Sequence, residues 1–92
     1  MRIKRITSLD TAIRLYYEND ELDNRDIIEL FEPMAESTIA KMKNAVLEEM
    51  TKRGTVRHRR HTVNTEVAYE VWGLDIASLE RRWAKLQKLG LA

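Results

Sequence analysis

Pro33-Met34-Ala35-Glu36-Ser37-Thr38-Ile39-Ala40-Lys41-Met42-Lys43 is the stretch on which the fold turns. Proline disfavours helix in its predecessor and has no backbone donor, so a break is expected at Glu32-Pro33. Beyond the break, Ile39, Met42, Val46 and Met50 recur at helical spacing and fall on one face. Ala45 and Leu47 widen that stripe. Ser37, Thr38, Lys41 and Lys43 are polar and mostly point elsewhere. The spacing predicts a long helix over about 35–52. Lys52 and Arg53 favour its C-terminal dipole, and Gly54 follows as the natural residue for a left-handed stop. Such a helix has an apolar stripe to hold it on a domain. Hydroxyls and ammoniums remain free to meet something else.

Upstream, Asp26-Ile27-Ile28-Glu29-Leu30-Phe31 supplies a matching element. Ile27, Leu30 and Phe31 are spaced i, i+3, i+4 and can pack under the longer helix. A helix over about 25–32 is predicted, capped by Asp23 or Asn24 and ended by Pro33.

Over residues 24–44 the chain resembles the helix-turn-helix pattern. In that pattern a small residue precedes a turn glycine by four positions, and a Ser-Thr-aliphatic triplet opens the second helix. Ser37-Thr38-Ile39 matches the triplet. Ile28 stands where the pattern prefers alanine, and Glu32-Pro33 fills a turn that usually holds one glycine. The turn is therefore expected to be one residue longer. The resemblance implies that the second helix reads DNA. Ser37, Thr38, Lys41, Lys43 and Asn44 would then face the major groove or its phosphates. The compact plan is also similar to small DNA-binding proteins of bacteriophages and mobile elements.

The charge distribution agrees. The net charge is only +1, but it is unevenly spread. Residues 1–9 carry Arg2, Lys4 and Arg5. Residues 10–36 hold nine acids against two arginines, a net of −7. Residues 37–63 hold seven bases against two acids, a net of +5. Residues 64–92 balance at four of each sign. The sign changes where the proposed recognition helix begins, and clustered cations are what phosphate contact requires. Arg57, Arg59 and Arg60 lie downstream, where a wing or backbone-contacting loop would grip flanking phosphates.

The remaining elements follow from local signals. A first helix is predicted over about 8–18, with Thr7 as N-cap, Asp10 in its first turn, and Leu9, Ile13 and Tyr16 as its buried stripe beside Ala12 and Tyr17. Residues 19–23 form a polar connector. Residues 55–72 admit two readings. A winged-helix hairpin would pair a strand near 55–59 with one at 66–72, where Val67, Tyr69 and Val71 alternate with polar or small residues. A helix would start at Asn64 or Thr65 and stop at Gly73, and this bracketing favours it. The last helix is capped by Asp75 and carries Ile76, Leu79, Trp83 and Leu86, then Leu89, before Gly90. That narrow seam is expected to pack on the body or to join copies in a homodimer or higher homo-oligomer.

One domain over 1–92 is expected, mainly α. It divides into a helix-turn-helix core at 8–53, a basic loop or small β wing at 54–63, and C-terminal packing helices at 64–92. No apolar run reaches the ~18 residues of a membrane span. The basic N-terminus has no apolar stretch behind it, so no secretory signal is expected. Cysteine is absent, which removes disulfide and thiolate chemistry and makes a cytoplasmic location the expectation. His58 and His61 are three apart, but neighbouring arginines oppose metal binding. Glu48-Glu49 and Asp20-Glu21-Asp23 are expected to be solvated carboxylates, and no phosphate loop or catalytic triad is visible. No enzyme activity, metal or cofactor is expected. The leading expectation is a transcriptional regulator that binds duplex DNA sequence-specifically. A phage DNA-packaging subunit that assembles into a ring, or a protein-interaction adaptor docking through its acidic half, would share much of this sequence logic.

Overall fold

In the computed structural model residues 8–31 and 34–90 are described. The basic residues Arg2, Lys4 and Arg5, the expected cap Thr7 and the break at Glu32-Pro33 lie outside them. The described chain is mainly helical. Its order is α1 (Leu9–Glu18), β1 (Glu21–Leu22), α2 (Asn24–Leu30), α3 (Glu36–Arg53), β2 (Val63–Asn64), α4 (Thr65–Val71) and α5 (Ile76–Lys88). Among the described residues no helix is long and apolar enough to cross a membrane.

Four of the five described helices start on a side-chain cap; α3, whose N-cap is Ala35, has none. The Ser8 hydroxyl accepts from the Thr11 amide at 3.0 Å, so Ser8 caps α1. Asp23 and Asp26 form a reciprocal capping box at α2: each carboxylate accepts the other's backbone amide. Asn64 caps α4 by accepting from the Val67 amide, and Asp75 caps α5 by accepting from the Ala77 amide. Gly54, at φ 72°, ends α3 in the left-handed region, with the Thr55 amide returning to the Met50 carbonyl at 2.9 Å.

The core joins all five described helices. Ile39, Met42, Val46 and Met50 are the buried residues of α3, and Ile27, Leu30 and Phe31 come in from α2 and its end. The indole of Trp72 meets Phe31 edge-on at 5.4 Å and donates to the Met42 carbonyl at 3.2 Å, which binds the end of α4 to α3. The buried Tyr69 hydroxyl donates to the Ala12 carbonyl and ties α4 to α1. Burial pushes this phenol well above its usual range. The most extensive helix pairings are α1 with α5 and α3 with α4.

The structure corrects one expectation and decides two that the sequence left open. In α1 the buried residues are Ala12 and Leu15, whereas Leu9, Ile13 and Tyr16 are only partly covered and Tyr17 is 64% exposed. This helix is apolar around much of its circumference, so the packing of α2 and α5 against it decides which side faces inward. No strand forms over 55–59 or 66–72. Val67, Ala68 and Tyr69 are buried in succession, which a helix surrounded by neighbours accommodates and an alternating edge strand does not. The small β element instead pairs β1 with β2 antiparallel, Glu21 opposite Asn64 and Leu22 opposite Val63. The Thr65 amide and hydroxyl extend this junction by donating to the carbonyls of Asp20 and Asn19. Finally, Leu79 is buried by the protein's own core, so this part of the C-terminal seam is internal.

Candidate nucleic-acid interface

The outward face of α3 follows directly from its buried one. With Ile39, Met42, Val46 and Met50 inward, Ser37, Lys41, Asn44 and Glu48 fall on the opposite side, and all four are exposed. Thr38 and Lys43 flank the stripe and are half-buried. Ile28, the misfit to the helix-turn-helix pattern, is 50% exposed on α2 and so does not have to fit into the core where the pattern prefers alanine.

Lys43 is committed to the fold. Its ammonium donates to Asn24 Oδ1 at 2.8 Å and to the His61 carbonyl at 2.7 Å. It thereby joins α3, the start of α2 and the end of the basic loop. Desolvation, then the nearby Arg57 charge, lowers its pKa. An ammonium has three donors, so one remains for a ligand. His61 holds a left-handed backbone at φ 61°, uncommon outside glycine, and the Lys43 bond to its carbonyl supports that turn.

The basic loop is shaped by a carboxylate from the acidic half of the sequence. Glu21 is 5% exposed. Its oxygens accept from the amides of His58 at 2.6 Å and Arg59 at 3.0 Å, and from the Thr62 hydroxyl at 3.0 Å. Burial pushes this carboxyl up, but the bonds from His58, Thr62 and Arg59 outweigh it and hold it below the usual carboxylate range. Arg59 closes over the same residue: its guanidinium donates to the Glu21 carbonyl at 3.3 Å and lies 3.7 Å from the carboxylate. The solvated connector expected at 20–23 is therefore a structural anchor at Glu21. Its donors lie 37 to 41 residues away, so no local signal could have revealed it.

Not all the basic residues are equally available. Arg53 is bonded to Glu49 at 3.0 Å and to Glu70, and Arg59 to Glu21. Lys41, Lys52, Arg57 and Arg60 are exposed, and none has a carboxylate partner within ion-pair distance among the described residues. Arg57 stands across from α3. The two form a groove of about 410 Å³ whose lining includes Glu36, Ala40, Lys43, Asn44 and Arg57. Ser37, Lys41 and Asn44 thus share one helix face, and the loop lies along its edge. His58 and His61 are exposed in that loop.

Comparison of the chain with family models, curated proteins and solved structures finds no match. Any functional reading rests on the geometry alone.

Proposed function

We propose that this protein binds duplex DNA sequence-specifically, as a small transcriptional regulator of the helix-turn-helix type. In this reading α3 enters the major groove, with Ser37, Thr38, Lys41 and Asn44 toward base edges. Arg57 and Arg60 contact flanking phosphates, and the spare Lys43 donor adds a contact where the loop meets α3. Arg59 holds the loop rather than a phosphate. The protein acts in the cytoplasm as a homodimer or larger homo-oligomer, and no catalytic step is part of the reading. The observation that carries it is the adjacency of α3's polar outward face and a basic loop whose backbone is fixed by a buried carboxylate.

The test is selection from a random duplex pool at about 50 mM salt, followed by salt titration of the selected site. Three phosphate contacts, from Arg57, Arg60 and Lys43, each releasing ~0.9 counterion, give an expected log–log slope of about −3. Lys41→Ala is expected to reduce discrimination at one base position by roughly 1–3 kcal/mol, whereas Arg57→Ala weakens all sequences about equally. No bound duplex at low salt would sink the proposal.

A further inference from the structure

Residues 64–92 carry four acids and four bases, and folding separates the two signs. The acids come first, and three of them are engaged. Glu70 pairs with Arg53, Asp75 caps α5 at the Ala77 amide, and Glu80 accepts from the Tyr17 hydroxyl. The bases Arg81, Arg82, Lys85 and Lys88 all lie on α5 and are exposed. None has a carboxylate within ion-pair distance among the described residues. The side of α5 that carries Leu79, with Ile76, Trp83 and Leu86 beside it, is the one turned to the core. At 3.6 residues per turn, Ala77, Arg81, Ala84 and Lys88 form a stripe on the other side, flanked by Ser78 and Lys85. The stripe is about 16 Å long and contains no acid and no bulky apolar side chain. Ser78 Oγ accepts from the Arg81 guanidinium at 3.0 Å and orients it. Arg81 and Lys85, and Lys85 and Lys88, stand at spacings where like charges repel. The helix dipole offsets this for Lys85 and Lys88 in the last turn, but not for Arg81.

α4 and α5 also repeat the build of α2 and α3. In each pair a seven-residue helix precedes a longer one that turns one side to the core. Each short helix ends on a buried aromatic, Phe31 or Trp72, and the two rings meet edge-on.

We propose that α5 is a second duplex-contacting element, whose outer face holds DNA phosphates separately from α3 and the basic loop. Arg81, Lys85 and Lys88 make the contacts, and Ala77 and Ala84 let the helix lie close. A polyanion relieves the repulsion along the stripe, and duplex DNA presents one negative charge per ~1.7 Å. A membrane-surface helix needs an apolar face, and that of α5 is spent on the core. The inference rests on the duplex-binding reading and adds to it a contact that carries no sequence information.

The experiment uses the full chain and a duplex of arbitrary sequence. A variant with Arg57→Gln and Arg60→Gln is expected to bind it still, with a log–log salt slope of about −3 from the three α5 contacts. Adding Arg81→Gln, Lys85→Gln and Lys88→Gln should weaken that binding about tenfold or more at ~50 mM salt. All three side chains are exposed, and circular dichroism checks that the fold is kept. A second readout needs no substitution. Saturating duplex should slow acetylation of Lys85 and Lys88 in the unmodified protein, read by mass spectrometry, and rising salt should restore it. Lysines 85 and 88 that stay reactive while duplex is bound overturn this inference and leave α3 and its loop as the contact. Protection of both lysines without any sequence preference in the selection supports this inference and overturns the α3 reading alone. No bound duplex overturns both. Protection by anionic vesicles or single-stranded RNA, but not by duplex, overturns the choice of partner.

Discussion

Replacing Glu21 with alanine removes the anchor of the basic loop, and its cost can be bounded. Three donors lose their acceptor: the His58 and Arg59 amides and the Thr62 hydroxyl. Hydrogen bonds to a charged group contribute roughly 1.5–3 kcal/mol each, which would suggest a large total. Two effects reduce it. His58 and Arg59 are exposed, so their amides can turn to water once released. Thr62 is buried but keeps a second bond to the Arg59 carbonyl at 3.0 Å. Removing the carboxylate also ends its own burial cost. The ion pair adds little, because the Arg59 side chain is 59% exposed. We expect a net loss of about 2–3 kcal/mol, which in a domain of this size lowers Tm by roughly 10–20 °C. Urea denaturation at neutral pH measures the first quantity. Amide exchange supplies a site-specific check: the His58 and Arg59 amides should be protected in the unmodified protein and should exchange freely in the variant. A loss below about 0.5 kcal/mol, or free exchange at both amides before substitution, would refute the view that Glu21 organises the loop.

Two further outcomes are expected. Because Glu21 is held below its unfolded value of about 4.3, the folded state resists its protonation, so its stabilisation is complete above that pH and is lost as pH falls through the lower folded value. The stability gap between the unmodified protein and Glu21→Gln should therefore shrink on acidification, as urea midpoints across that range will show, and a gap that widens would contradict the sign. Met42→Ala empties a fully buried site in the core and should cost about 2–5 kcal/mol by the same assay, with a much smaller loss indicating that α3 is not seated as described.

The elements that the sequence specifies locally are the ones that could be read from it. All four buried positions of α3 follow from spacing, and Asp23, Asn64, Asp75 and Gly54 stand where their cap chemistry acts. Ile27, Leu30 and Phe31 are likewise buried as their spacing requires. What escaped reading depends on distant partners. Leu15 is chosen over Ile13 by the packing of other helices on α1. Strands of two residues are too short to show a period, although Thr62-Val63 after the arginine run was a faint β-branched signal. The seam of α5 was visible as a seam, but a stripe does not name its partner. Leu79 meets the core of its own chain, while Leu89 remains exposed.

The same distinction governs the candidate interface. Counted along the sequence, residues 37–63 offer seven cations. Folding withdraws Arg53 and Arg59 into carboxylate pairs and engages two of the three Lys43 donors. These groups are used to build the surface: Arg53 ties the end of α3 to α4, Arg59 ties the loop to Glu21, and Lys43 ties α3 to the loop and to the start of α2. The cations left over stand on that framework with their charges unpaired by nearby carboxylates. The acids of residues 10–36 are thus not merely a counterweight facing away from a ligand. Glu21 crosses the charge boundary and, together with Lys43, converts a run of like charges that would repel itself into a loop of defined shape beside α3. A loose basic arm could supply affinity for phosphates. A loop fixed against a helix can also hold that helix in one register, which sequence discrimination requires.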